Sequence, residues 1–262
     1  MSVDCMNVKP GVEVAALSDV GCQRENNEDS YLYWEPAGDD EFHRKGRLAV
    51  IADGMGGHEG GQEASRLAVE TVREVYEQAL GNDPQVALVE SFDAAHARIQ
   101  EYAEQHPAFQ GMGTTCTALV LRDRQLYFAH VGDSRLYLVR GARILRLTRD
   151  HSYVGRLVES GIVRAEDAEK HPQRHILTAA LGAGRELAVD SAEEGLHLLD
   201  GDDLLLCTDG LWSVVTEEEL ETAVSGHAPA ESCAELVKLA RQRGGPDNIT
   251  LQVLRIGPDA RP

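Results

Sequence analysis

The chain is short of the residues that several common chemistries require. Its five cysteines, Cys5, Cys22, Cys116, Cys207 and Cys233, form no C-x-x-C pair. Cys116 and Cys207 lie inside apolar, strand-like runs, so the set reads as reduced core residues of a cytosolic protein. Basic charge is scarce too: 25 Lys and Arg face 44 Asp and Glu, a net charge of -19 over 262 residues. That balance argues against binding a phosphate backbone, and nucleic acid is not an expected partner. No run reaches the roughly 18 apolar residues of a membrane span, and the opening MSVDCMNVKP has no apolar signal core. The expectation is a soluble, cytoplasmic protein without a membrane partner. An H-E-x-x-H zinc motif is missing, since His58-Glu59 is followed by Gly60, Gly61 and Gln62. GMGGHEGG has Glu59 where a dinucleotide fingerprint needs its third glycine, no P-loop lysine follows, and the Asp-Ser of GDSR is not a G-x-S-x-G elbow. With no proline-rich or Gly/Ser linker, repeat or low-complexity tract, residues 1–262 are expected to form a single domain.

What the chain does have is a set of apolar runs that end in an aspartate beside a glycine. They are RLAVIADG at Arg47 to Gly54, LYFAHVGDS at Leu126 to Ser134 and LLLCTDG at Leu204 to Gly210; GGPDN at Gly244 to Asn248 precedes a last apolar run. Asp-Gly is also the commonest hairpin turn. Here Asp53 is followed by MGGHEGG and a helical pattern, and Asp209 by LWSVV and a helix start, so neither simply reverses a strand. Carboxylates held at the mouths of rigid strands repel one another by roughly 1 to 4 kcal/mol at about 4 Å. A converging set therefore calls for cations, and hard ions that take oxygen ligands, Mg²⁺ or Mn²⁺, suit it. His58, His130 and His151 are expected in structural or supporting roles, because oxygen donors suit such ions better than imidazole.

Periodicity sketches the rest. Val12 to Val20, Ser30 to Trp34 and Arg47 to Asp53 suit strands, and apolar stripes mark helices from about Gly61 to Leu80 and after Asn82-Asp83-Pro84. Four strands follow between Gly113 and Leu147, with connections at Arg122 to Arg124, Gly132 to Ser134 and Arg140-Gly141 short enough to predict antiparallel neighbours. Residues from about 148 to 185 read as a partly mobile flap insertion with one helix capped by Asp150 or Ser152 and ending at Gly161, and another from Ala165 to Lys170. Strands near Leu187 to Ser191 and at Asp203 to Cys207 come next. A capping box at Thr216 and Glu219 opens a short helix, Pro229 opens a longer one, and Ile249 to Ile256 is the last strand. Antiparallel strand clusters and two helix pairs predict an α+β fold in which two stacked sheets are covered by helices.

Taken in order, SDVGCQRENNEDS (Ser18 to Ser30), VIADGMGGHEGG (Val50 to Gly61), GTTCTALV (Gly113 to Val120), HVGDSRLYL (His130 to Leu138), LTRDHS (Leu147 to Ser152), LLLCTDGLW (Leu204 to Trp212) and GGPDNIT (Gly244 to Thr250) cover nearly the whole chain. This set resembles the metal-dependent protein phosphatases, the type 2C protein serine/threonine phosphatases, in their compact bacterial form. The resemblance implies a four-layer αββα sandwich of two antiparallel sheets with the metal channel between them. It implies that Asp53 bridges two Mn²⁺ or Mg²⁺ ions, that Gly54 offers its carbonyl, and that Asp209 and Asp247 complete the first ion's shell. Glu28 and Asp29 would act mostly through metal-bound waters, Asp133 would share a third ion with Asp209, and Arg24 would grip the substrate phosphate. A hydroxide bridging the two ions would then attack phosphorus in line, with no protein nucleophile. Met55 stands where many relatives place a histidine acid, so the leaving group's proton must come from elsewhere. Ser213 and Ala179 also depart from the family pattern. The implied substrates are phosphoserine and phosphothreonine proteins, including a serine/threonine kinase or its targets, and the implied state is a monomer. Two other readings are a catalytically weak pseudophosphatase serving as a regulatory binding module and a phosphatase for a phosphorylated anti-sigma antagonist. The presence of Asp53, Asp133, Asp209, Asp247 and Arg24 favours catalysis.

Overall fold

The computed structural model describes residues 3–258 other than 7, 57, 165–166, 168–170, 185–186 and 193. Its strands are Asp4–Cys5 (β1), Val12–Asp19 (β2), Asp29–Trp34 (β3), Arg47–Met55 (β4), Gly113–Thr114 (β5), Cys116–Arg122 (β6), Gln125–Val131 (β7), Arg135–Val139 (β8), Ile144–Arg146 (β9), Asp190–Ser191 (β10), Leu196–His197 (β11), Asp203–Cys207 (β12) and Ile249–Ile256 (β13). One sheet has the order β1-β2-β13-β12-β8-β9; the other runs β10-β7-β6-β4-β3, with β11 also on β7 and β5 on β4. Each of these pairings is antiparallel.

The continuous apolar runs arise because both faces of each sheet are covered. Along β4, Leu48, Val50 and Ala52 pack under helices His58–Gln78 (α2) and Pro84–Gln105 (α3), while Ala49 and Ile51 face the opposite sheet. In the other sheet Leu205, Cys207, Leu251 and Val253 pack under Glu217–Gly226 (α6) and Pro229–Gln242 (α7). Leu204, Leu206 and Leu254 turn inward to join Ile51, Leu119 and Leu121 in the core between the sheets. Period-2 alternation thus sorts each strand between two apolar layers, giving the four-layer arrangement that the sequence predicts. The side chain of Gln252 crosses the inner layer, where its amide nitrogen donates to the Val50 carbonyl at 2.7 Å while Oε1 is buried without a hydrogen-bond partner.

Helix starts follow local chemistry. Asp83 accepts from the Gln85 and Val86 amides with Pro84 in the first turn. Thr216 and Glu219 form the expected capping box, and Arg243 together with that cap draws the Glu219 carboxyl down to about 2. Ser152, not Asp150, caps Tyr153–Glu159 (α4), accepting from Gly155 at 3.0 Å; Asp150 is instead engaged by Arg135. This helix stops short of Gly161, and the expected helix at 165–170 lies for the most part outside the described residues. The strand expected from Leu187 narrows to β10. Not anticipated were Asp39–Lys45 (α1), the two-residue strands β1, β5 and β11, and the single helical turn Asp209–Trp212 (α5).

One expectation is overturned. The segments flanking Gly132 to Ser134 are not antiparallel neighbours: β7 pairs with β6, β10 and β11, whereas β8 pairs with β12 and β9 in the other sheet. Gly132 has φ 108° and lies so close to Thr115 that a β-carbon would overlap its side chain. A short loop was read as a reversal, but this glycine lets the chain cross from one sheet to the other, and Asp133 rides on the crossing. The Arg122 to Arg124 turn is a true hairpin, with Asp123 and Arg124 both left-handed at φ 49° and 62°.

Candidate active site

Strand ends from both sheets meet at one cleft of about 890 Å³, lined by Arg24, Glu28, Asp53, Gly54, Asp133, Asp209 and Asp247 among others. Asp53 lies near the end of β4, and Asp29 opens β3 directly opposite it in the antiparallel register. Like charges at such a position normally destabilise a strand pair. Asp209 follows β12, Asp247 precedes β13, and Asp133 precedes β8. Rigid elements therefore force acidic groups together across the inter-sheet gap.

The surrounding bonds fix the backbone and leave carboxylate oxygens over. Thr115 accepts from the Asp53 amide at 2.9 Å and its own amide donates to the Asp53 carbonyl at 2.9 Å, while the Thr114 hydroxyl donates to that carbonyl at 2.8 Å. Gly54 donates to the Glu28 carbonyl at 3.2 Å, and a β-carbon there would overlap the Gly61 backbone. Close approach, more than conformational freedom, requires that glycine. Gly210 is hemmed in the same way by the Asn248 carbonyl. The Glu28 carboxylate lies against Gly61 at the start of α2. Thr208 donates to one oxygen of Asp29 at 2.9 Å; the other, Oδ1, and Oδ1 of Asp209 are buried without a hydrogen-bond partner. A buried carboxylate oxygen left unpaired costs on the order of 1–3 kcal/mol or more, and here it points to a cation as the missing partner.

The charges respond accordingly. Burial, followed by Asp29, Asp209 and Asp133, pushes the Asp53 carboxyl well above its ordinary range. Burial, then Asp209 and Asp150, raises Asp133. Asp29 is pushed up to about 7 by burial, against the hydrogen bonds of Thr250 and Thr208. Among the described residues no three His, Cys, Asp or Glu side chains close around one point. An open, oxygen-only set of this kind suits an ion that keeps much of its water, as Mg²⁺ does.

Arg24 sits at the cleft mouth, where its Nη2 donates to Asp247 at 2.7 Å and the side chain is half exposed. Of the histidines weighed from sequence, His130 is buried between Thr117 at 2.8 Å and the Arg149 carbonyl at 2.9 Å, and burial draws it down to about 4. His151 accepts from the Gly132 amide at 3.4 Å. Both brace the β7–β8 crossing; the side chain of His58 lies outside the described residues. Two cleft residues escaped the sequence reading. His175 lines the cleft from the 148–185 segment, with Nδ1 3.7 Å from Oδ2 of Asp209. Asn248 clamps the loop before β3, donating to Val20 and Asn26 carbonyls at 3.0 and 2.9 Å and accepting from Glu28 at 2.8 Å. An amide beside Asp247 in GGPDN was the available signal for the second; the first had none.

The family described as protein phosphatase 2C matches residues 25–248. The chain belongs to that family. It is 37% identical over 239 residues to the serine/threonine protein phosphatase PstP of Mycobacterium tuberculosis, an alignment covering 91% of this chain and 44% of that protein. The chain thus spans less than half the length of that relative. Against the protein phosphatase PhpP of Streptococcus pneumoniae the identity is 34%, covering 95% of this chain and 99% of the relative. Among solved structures, the catalytic domain of PstP in complex with 2 manganese ions superposes with a TM-score of 0.79 at 34% identity, covering 94% of this chain and 99% of that one. The two helix-covered antiparallel sheets are those of this phosphatase family.

Proposed function

We propose that this phosphatase domain hydrolyses phosphoserine and phosphothreonine in proteins with the help of divalent cations held in the acidic cleft. The observation that carries the reading is the convergence of Asp29, Asp53, Asp133, Asp209 and Asp247, with buried unpartnered oxygens on Asp29 and Asp209 and depressed acidity at Asp29, Asp53 and Asp133. Asp53 with the Gly54 carbonyl, Asp209 and Asp247 would hold two ions; Glu28 and Asp29 would act on their water shells, and Asp133 with Asp209 would take a third. The all-oxygen donor set fits Mn²⁺ or Mg²⁺. Such ions, when bound, activate water at neutral pH. Everything else falls to the chain's own groups. Strand ends preset the carboxylates, so little reorganisation is left for the moment of reaction. Arg24 uses one nitrogen for Asp247 and keeps further guanidinium donors for the phosphate oxygens, offsetting a field that would otherwise repel a dianion.

Residues 1–262 act in this reading as one catalytic unit, monomeric and cytoplasmic, that opposes a serine/threonine kinase. The free thiols support a reducing compartment: Cys116, Cys207 and Cys233 are buried, and burial raises Cys207 and Cys233 to about 12. Hydrolysis of an aryl phosphate and of a phosphothreonine peptide should require added Mn²⁺ or Mg²⁺ and cease with chelator. Full activity in chelator would refute the metal-dependent reading, and activity on the aryl ester alone would refute the protein substrate.

A further inference from the structure

Beside the acidic cleft lies a second cavity, of about 400 Å³, whose lining sets four arginines, Arg135, Arg146, Arg149 and Arg174, against three acids, Asp150, Glu159 and Glu217, with Trp212 and Val158 as apolar wall. In a chain of net charge -19, such a concentration needs an explanation. Four arginines against three acids leave one positive charge over, and Asp150 serves two of the arginines at once. Both of its oxygens accept from Arg135, at 3.0 and 2.7 Å, and Arg146 reaches the same carboxylate only at 3.5 Å. Two guanidiniums share one negative charge, and Arg146, 38% exposed, is the one left with donors to spare. Arg149 spreads itself between Asp190 at 2.8 Å and Glu159 at 3.4 Å with its side chain 69% exposed.

The cavity is coupled to the cleft by bonds as well as by position. The Trp212 indole donates to the Asp133 carbonyl at 2.9 Å, and its ring lies 3.6 Å from the Arg135 guanidinium. Trp212 ends the single turn that begins at Asp209, so one helical turn separates a cleft carboxylate from the wall of the arginine pocket. On the opposite rim Arg174 of the pocket precedes His175 of the cleft.

We infer that the arginine pocket is an anion subsite for the polypeptide substrate: while one phosphoryl group occupies the cleft, Arg146 and Arg149 receive a second anionic group of the same chain, a Glu or Asp side chain or a second phosphate. The inference rests on the phosphatase reading above. The pocket offers planar, forked donors suited to carboxylate and phosphate oxygens, and an apolar wall for the stem that carries them. It also resolves an electrostatic difficulty, since a protein this acidic would otherwise repel acidic substrates along their whole length.

The test uses the full chain with Mn²⁺ and three sets of phosphothreonine peptides that differ only in carrying Ala, Glu or phosphoserine at successive flanking positions. At one position the Glu and phosphoserine peptides should show a KM roughly three- to tenfold below the Ala peptide, the scale of one exposed charge-assisted contact. Phosphoserine falling below Glu would identify a second phosphate as the preferred occupant; equal values would identify carboxylates. Arg146→Ala should erase the preference while aryl phosphate turnover is unchanged, and Arg146→Lys should restore part of it. Equal KM for all three sets in the wild type, or a preference that survives Arg146→Ala, overturns the inference. Trp212 supplies a readout independent of catalysis. In a Trp34→Phe background with chelator, a Glu-rich peptide should quench its emission, and Arg146→Ala should abolish the quench. Absent aryl phosphate hydrolysis with an intact quench would reject the phosphatase reading and keep the anion site; no quench in the wild type would reject the site.

Discussion

Two groups of acidic residues in this molecule have opposite fates. Away from the cleft, buried or half-buried carboxylates come with arginine: Asp203 with Arg255, Asp202 with Arg140 and Asp150 with Arg135, each held by two hydrogen bonds. In the cleft, Asp29 faces Asp53 across a strand pair, and Arg24 reaches only Asp247. The same residue type is thus used for cohesion where an internal cation neutralises it and for function where neutralisation is left to something from outside. The contrast predicts opposite responses to substitution.

The largest expected effect is at the uncompensated group. Asp53→Asn or Asp209→Asn should lower kcat by several orders of magnitude, and with chelator present each should melt no lower than wild type, because one repulsive charge is gone. Steady-state kinetics and thermal melts check this; near-wild-type turnover would remove that residue from the site. Next comes the compensated group. Arg135→Met leaves the mostly buried Asp150 with only the more distant Arg146, at 3.5 Å, and should cost about 3 kcal/mol in chemical unfolding, the low end for a broken buried pair. An unchanged midpoint would erase the distinction between the two groups.

A smaller, pH-dependent effect sharpens the comparison. Asp29, pushed up to about 7 in the fold, titrates near roughly 3.9 when unfolded, so folding takes up a proton between those values. The metal-free wild type should lose stability as pH rises from about 4 to about 7. Asp29→Asn has no such proton to bind, so in chelator its melting temperature should gain on the wild type through that window and level off above it. A difference independent of pH would show that burial does not raise the Asp29 carboxyl in the fold. The smallest effect is at Met55, which lines the cleft but has no proton to give. Met55→Ala should leave the dependence of rate on leaving-group pKa, measured over a series of aryl phosphates, the same as in wild type; a steeper slope would show that this position supports proton transfer.

Much of this was legible in the sequence because it is local. Strand periodicity, the Asp83 cap, the Thr216–Glu219 box and the placement of Asp53, Asp133, Asp209 and Asp247 at strand ends each occupy a few consecutive residues. What stayed hidden depends on distant segments meeting. The Trp212 to Asp133 bond joins residues 79 apart, and the Arg24 to Asp247 pair joins residues 223 apart. His175 reaches the cleft only because bridges at Ser152–Leu177 and Thr114–Leu181 fold its segment back onto the sheet edge. The crossing at Gly132 to Ser134 was misread for a similar reason: a three-residue connection has the same length whether it reverses within one sheet or steps to another.

The strand order has a further consequence, in time. β13 sits between β2 and β12, so the first long strand of its sheet has only the two-residue β1 beside it until the last strand arrives. Asp247 travels immediately ahead of that strand. During synthesis Asp29 and Asp53 can pair early within their own sheet, but the full acidic cluster assembles only when Ile249–Ile256 inserts. Pairing across so long a stretch is slow, since loop closure precedes its reward. Electrostatic repulsion is thereby deferred to a late step of folding, and a chain still lacking Ile249–Ile256 holds no complete acidic cluster.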